Sequence, residues 1–231
     1  MTLAQRIGDY SSPTSLGSRF RRRRIGPLLD MIEAISQRRG SCTILDVGGT
    51  RKYWNILPAA LLREHRVSVL ITNLSDGATQ ARPDEADGVF SYGVADACDL
   101  PYPDRSFDIA HSNSVIEHVG DWPDMVSFSR EIRRVAKGYF VQTPNFWFFW
   151  EPHFAAPFFH FLPESVRIWL MMRRDWGFMP RCASLEEAVR SVRSARLLDA
   201  AMFGSLFPDA TIERERFLGM TKSLIAVRMT A

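Results

Sequence analysis

Cysteine is scarce in this chain: Cys42, Cys98 and Cys182 are its three thiols in 231 residues. Three scattered cysteines make neither a disulfide framework nor a zinc cage, so reduced thiols and a cytoplasmic protein are expected. Long apolar runs are missing too. No stretch approaches the ~20 residues that cross a bilayer. The opening MTLAQRIGDYSSPTS has no apolar core of signal-peptide length. There is no internal repeat and no low-complexity segment. Charge of one sign is also lacking. The net charge is +3, and Arg19, Arg21, Arg22, Arg23 and Arg24 supply +5, leaving −2 elsewhere. That is not the balance of a dedicated nucleic-acid binder. The arginine cluster reads as a solvated helix start, or as a contact for phosphate or an anionic head group.

What is present is an ordinary globular composition, 46% hydrophobic and 24% charged, in a chain long enough to bury a substantial core. Residues 1–40 read as a polar helical lead-in. Pro27 opens a helix whose apolar face is Leu28, Leu29, Ile32 and Ile35, and Gly40 closes it. Short apolar runs then predict strands at 42–47, 67–72, 88–94, 106–112 and 138–143. Helical patterns lie between several of them. One holds Trp54, Leu57, Leu61 and Leu62; another holds Met125, Phe128, Ile132 and Val135 behind Asp121 and Pro123. Strands alternating with helices imply βαβ units and a buried parallel sheet, an α/β doubly wound fold. The domain is taken as 41–231, with an insertion at 144–183. Ser184-Leu185-Glu186-Glu187 is a capping box for a helix that Gly204 closes. The end reads as two strands, 211–218 and 222–229, antiparallel because only a tight turn at Gly219 joins them.

The first strand runs into Leu45-Asp46-Val47-Gly48-Gly49-Thr50. A glycine pair there lets backbone approach a ligand closely. It falls short of the G-x-G-x-x-G fingerprint, which argues against NAD and FAD. Further on stand Asp96-Ala97-Cys98-Asp99-Leu100-Pro101, then Asp104-Arg105-Ser106-Phe107-Asp108, then Ser112-Asn113-Ser114-Val115-Ile116-Glu117-His118. Glu131-Ile132-Arg133-Arg134-Val135 and Thr143-Pro144-Asn145 follow. This combination closely resembles the class I S-adenosylmethionine-dependent methyltransferases, in the methyltransferase type 11-like branch for small molecules. The resemblance implies a Rossmann-like sheet of order 3-2-1-4-5-7-6 with strand 7 antiparallel, and S-adenosylmethionine as cofactor. It implies that Asp46, Gly48, Gly49 and Thr50 hold the methionine part. Asn73, followed by Leu74, stands where an acid usually takes the ribose hydroxyls, so an aspartate at 73 is expected to bind more tightly. Asp96 would recognise the adenine amino group with Ala97 stacked nearby. Ser112 and Asn113 would lie beside the methyl donor.

On the acceptor side, Glu117 and His118 follow strand four, and His118 is the base candidate by its near-neutral reference pKa. The alternative is that the pair only braces the following helix. Glu117, His118 and His153 are also similar to the ligands of two metal-using branches, the small-RNA 2′-O-methyltransferases and the ubiquinone-pathway O-methyltransferases, with Glu151 or His160 as a fourth. The acid those branches carry at position 114 is Ser114 here, and no metal is expected. Residues 146–161 hold nine of the 27 aromatics. This insertion reads as a lid over a hydrophobic acceptor, with Trp147, Trp150 and His153 facing the methyl group. It also reads as extra core, or as a surface for peripheral membrane contact. The leading reading is a methyltransferase acting on a small or lipid-like acceptor at oxygen. The alternatives are a scaffold protein of the same fold without turnover and a metal-assisted RNA methyltransferase. The second of these lacks a dedicated nucleic-acid module.

Overall fold

The computed structural model describes residues 24–74, 88–177 and 179–229. Arg24 is the one member of the arginine cluster inside that range; Arg19 and Arg21 to Arg23 lie outside it. Seven strands form one sheet: β1 (Cys42–Val47), β2 (Val67–Asn73), β3 (Phe90–Val94), β4 (Phe107–Asn113), β5 (Ala136–Pro144), β8 (Thr211–Phe217) and β9 (Met220–Arg228). Their order is β3-β2-β1-β4-β5-β9-β8. This is the order implied by the resemblance: β1 to β5 run parallel, and β9 returns antiparallel to β5.

The apolar run of each central strand is buried on both faces, as a parallel sheet between helices requires. One face carries α1 (Gly26–Arg39), α2 (Arg51–Trp54) and α3 (Ala59–Glu64). There Leu28, Met31, Ile32 and Ile35 of the lead-in join Ile44, Val69 and Ile109 of the sheet in one core. The other face carries α4 (Trp122–Val135) and α7 (Ala200–Leu206), packed on Leu45, Ala110, Tyr139 and Leu224. None of the described helices is long and apolar enough to cross a membrane.

Two helix expectations need correction. The pattern from Trp54 to Leu62 is not one helix but α2 and α3, because Pro58 stands between them in extended conformation and caps the second. Ser184 does cap α6 (Leu185–Arg193), its side chain accepting from the Glu187 N–H at 3.2 Å. That helix stops at Arg193, however, and Asp199 starts α7 by accepting from Ala201 and Met202. Gly204 lies inside α7 rather than closing α6.

The insertion builds a third, small core. Behind a two-stranded ribbon, β6 (Trp150–Glu151) and β7 (Ala156–Pro157), lies α5 (Glu164–Met171), opened by Pro163. Phe154, Phe159, Met171 and Cys182 pack there with Ala188 and Val192 of α6. The aromatics of the insertion divide into three groups. Some are buried in this core, some line a cavity, and Trp147, Phe158 and Phe161 are exposed.

Candidate active site

Two cavities open outside the carboxyl ends of the parallel strands, where ligands bind in such sheets. One, of about 440 Å³, is lined by Asp46, Gly48, Gly49, Thr50, Asn113, Phe148, Trp150 and His153, among others. The other, of about 380 Å³, is lined by Asn73, Leu74, Asp96, Ala97 and Val119. Gly48, Ser114 and His118 belong to both, so the cavities meet at these three residues.

The floor between them is glycine for steric reasons. Gly48 has φ +70°, and a Cβ on it would lie 2.6 Å from Val115 Cγ2. A Cβ on Gly49 would fall onto the Asp46 carboxylate. Asp46 itself is fully buried. It accepts a hydrogen bond from Trp54 Nε1 at 2.7 Å and sits 2.6 Å from His111 Nδ1. The register that pairs Asp46 with His111 across β1 and β4 puts both side chains on one face. Asn73 donates through Nδ2 to the Gly49 carbonyl at 3.0 Å, so it ties the glycine loop to β2. Asp96 is exposed at the mouth of the second cavity and accepts from the Cys98 N–H at 2.8 Å. Its loop is anchored from behind. Arg134 donates to the carbonyls of Leu100 and Tyr102 and to Glu131 and Asp104, while Glu131 accepts from the Leu100 N–H.

Not every expected residue reaches a cavity. Ser112 is buried and donates to the Val47 carbonyl at 3.0 Å, which joins β4 to β1. Trp147 is 61% exposed and lines neither cavity. Arg24, Tyr53, His111, Gln142 and Lys222 line the first cavity although sequence reasoning did not propose them, and Phe148 of the insertion joins them. Only His111 left a legible trace, as the residue that parallel pairing sets beside Asp46.

Glu117, His118 and His153 do come together. One carboxylate oxygen and the two ring nitrogens lie within 4.8 Å of one another. Glu117 is buried, and Thr143 donates to its Oε2 at 3.0 Å. Burial pushes its carboxyl up to about 7. His118 Nδ1 is 2.7 Å from the Ser194 carbonyl, and burial pulls its pKa down. His153 Nδ1 is 2.6 Å from Glu151 Oε1. Burial also opposes a charge on His153, but the Glu151 carboxylate outweighs it and the pKa is raised. His160, by contrast, faces another cavity, with Nε2 on the Phe146 carbonyl at 2.8 Å.

Residues 45–141 match the family described as "Methyltransferase domain". Over this stretch, less than half of its length, the chain is similar to a methyltransferase domain. No curated relative matches it. Among solved structures it is similar to the DszA carbon methyltransferase, with 14% identity, a TM-score of 0.58 and coverage of 94% of this chain and 56% of that one. It is also similar to a protein of Pyrococcus horikoshii, with 14% identity, TM-score 0.53 and coverage of 98% and 96%. A third is a Haemonchus contortus phosphoethanolamine N-methyltransferase 2, with 19% identity, TM-score 0.50 and coverage of 80% and 39%. The chain thus spans about half or less of the first and third. At these identities the likeness is one of fold, the class I methyltransferase fold with its mostly parallel seven-stranded sheet.

S-adenosylmethionine is the cofactor that a methyltransferase domain of this fold implies, and the residues suit it. A loop free of Cβ atoms gives close backbone approach, and a carboxylate and an asparagine stand beside the second cavity. The joined cavities fall in the size range of small-molecule sites.

Proposed function

We propose that this chain methylates an oxygen of a small or lipid-like acceptor. The observation that carries the reading is the meeting of the two cavities at Gly48, Ser114 and His118. In this arrangement Gly48, Gly49, Thr50 and Asn113 hold the methionine end of the cofactor, and Asn73, Asp96 and Ala97 hold the adenosine end. When bound, S-adenosylmethionine supplies a methyl carbon activated by its sulfonium. Moving that carbon to a hydroxyl breaks a C–S and an O–H bond and forms a C–O bond. One proton must leave, and the cluster of Glu117, His118 and His153 stands where it would be handled. The rest of the work is alignment. Phe148 and Trp150 give the acceptor an apolar wall.

The aromatic surface outside the cavity favours a lipid-like acceptor met at a membrane. Trp147, Phe158, Phe161 and Trp169 are exposed, and Arg173 lies over the Trp169 ring at 4.3 Å. Aromatic and cationic groups side by side suit an anionic interface.

The test is release of S-adenosylhomocysteine from S-adenosylmethionine in the presence of phenols, hydroxylated lipids and their amine analogues. Turnover with the hydroxyl compounds and none with the amines supports the reading; methylation of the amines alone contradicts it. Trp150→Ala is expected to lower turnover while leaving cofactor affinity nearly intact. Trp147→Ala, outside the cavity, should change neither cofactor affinity nor stability beyond about 0.5 kcal/mol. A protein that binds no cofactor at all is the scaffold.

A further inference from the structure

The facing imidazoles pose a problem that the fold leaves open. The Ser194 carbonyl can only accept, so His118 Nδ1 carries the hydrogen of that 2.7 Å contact. Glu151 accepts in the same way from His153 Nδ1, and its other oxygen is taken by the Phe154 N–H at 2.6 Å. Each ring therefore presents its Nε2 lone pair, and the two Nε2 atoms are 3.0 Å apart. Two lone pairs do not attract at that distance. Something positive must lie between them, either a proton on one ring or a cation.

Three features favour a cation. Glu117 Oε1 is buried and has no hydrogen-bond partner, although leaving such an oxygen unsatisfied is costly. Both histidines are oriented as metal ligands are, with the remote N–H given to a carbonyl or a carboxylate. The spacing also fits. Two nitrogen ligands at ~2.0–2.1 Å from a tetrahedral zinc ion stand about 3.3 Å apart, so the rings need to part by only a few tenths of an ångström.

We propose that Glu117, His118 and His153 form a binding site for a divalent transition-metal ion, with coordination positions left open toward the acceptor cavity. Two imidazoles and one carboxylate suit zinc and its first-row neighbours better than magnesium. The proposal rests on the methyltransferase reading for its purpose. An acceptor hydroxyl bound at an open position would have its pKa lowered and would give its proton to solvent. Ser194 and Glu151 are then positioning groups for the two ring ligands.

The experiment is zinc binding to full-length protein stripped with a chelator, read by metal content after dialysis and by the visible absorption of a cobalt(II)-loaded sample. One ion per chain is expected, with a tetrahedral cobalt band and little competition from magnesium. His153→Ala and Glu117→Gln should each weaken binding more than about 100-fold, and Glu151→Gln by about 10- to 100-fold. His153→Gln serves if the alanine variant does not fold, with circular dichroism as the check. No stoichiometric zinc, or zinc that survives these substitutions, overturns the site; the imidazoles then share a proton. Calorimetry with S-adenosylhomocysteine on the same samples separates the two readings. Cofactor binding without metal binding removes the metal site alone, whereas metal binding without cofactor binding removes the methyltransferase function alone.

Discussion

The two walls of the proposed site are built in different ways. The cofactor wall comes from β1, β2, β4 and the loop after β3, and hydrogen bonds from side chains lock its backbone. Asn73 holds the Gly49 carbonyl, Ser112 holds the Val47 carbonyl, and Arg134 holds the Asp96 loop. The acceptor wall is a segment folded over its own small core. It is fixed by chain that lies far away in sequence: Ser194 meets His118 across 76 positions, Arg196 N–H donates to the Glu117 carbonyl, and Phe146 N–H donates to the Leu198 carbonyl. The first wall is set by strand register. The second depends on where α6 ends and α7 begins. Substitutions in the cofactor wall should therefore act on the cofactor and on folding together, while those in the acceptor wall should act on the acceptor alone.

Gly49→Val challenges this contrast most severely. Its Cβ would fall on a carboxylate already held by Trp54 and close to His111. Cofactor binding should be lost by more than about 100-fold, because neither strand can yield in a packed sheet. A milder variant is Arg134→Ala, which removes two bonds to carbonyls and three to the carboxylates of Glu131 and Asp104 behind the proposed adenine side. It should cost ~2–3 kcal/mol in urea unfolding, the scale of charge-assisted hydrogen bonds. An unchanged midpoint would mean that the loop stands by itself.

Asn73→Asp sharpens the comparison. Sequence reasoning favoured an aspartate for the ribose, but the observed bond to the Gly49 carbonyl needs a donor, which a carboxylate lacks. Binding of S-adenosylhomocysteine should weaken by about 10-fold, the value of one lost hydrogen bond and an added repulsion. Tighter binding would show that the ribose contact outweighs the loop.

The smallest expected effect is on pH. Asp108 is buried, which by itself raises its pKa. The Lys137 ammonium at 2.8 Å and the Thr43 N–H and hydroxyl outweigh burial, so the net shift is downward. A carboxyl whose folded pKa is depressed stabilises the fold above its unfolded value, about 3.9, and that contribution fades as pH falls through the lower folded value. Wild-type stability should decline below about pH 4 more steeply than that of Asp108→Asn, since the variant lacks this linkage. Parallel declines would mean that Asp108 contributes no linkage.

How much of this was legible in the sequence follows the same division. The strands of the sheet and the glycine loop could be read because each depends on local pattern, whereas the strand order came only with the family resemblance. The helix boundaries at Pro58 and Asp199 are hidden in the sequence because apolar spacing continues across both. Trp147 and Trp150 look alike in sequence, yet one is exposed and the other lines the cavity. The ribbon pairing of Trp150 with Pro157 decides this, and no periodicity announces it. Ser114 argued against a metal because one acid was missing. That His153, already a candidate ligand in the sequence, meets His118 from 35 positions away depends on how the insertion folds.

The central claim is that the glycine loop and the Asp96 loop together hold S-adenosylmethionine. The most direct measurement is calorimetric titration of S-adenosylhomocysteine into the wild type and Asp96→Ala. The account predicts one site per chain in the wild type and a 10- to 150-fold weaker one in the variant, the effect of losing a charge-assisted hydrogen bond of ~1.5–3 kcal/mol. No binding in the wild type, or equal affinity in the two proteins, would contradict it.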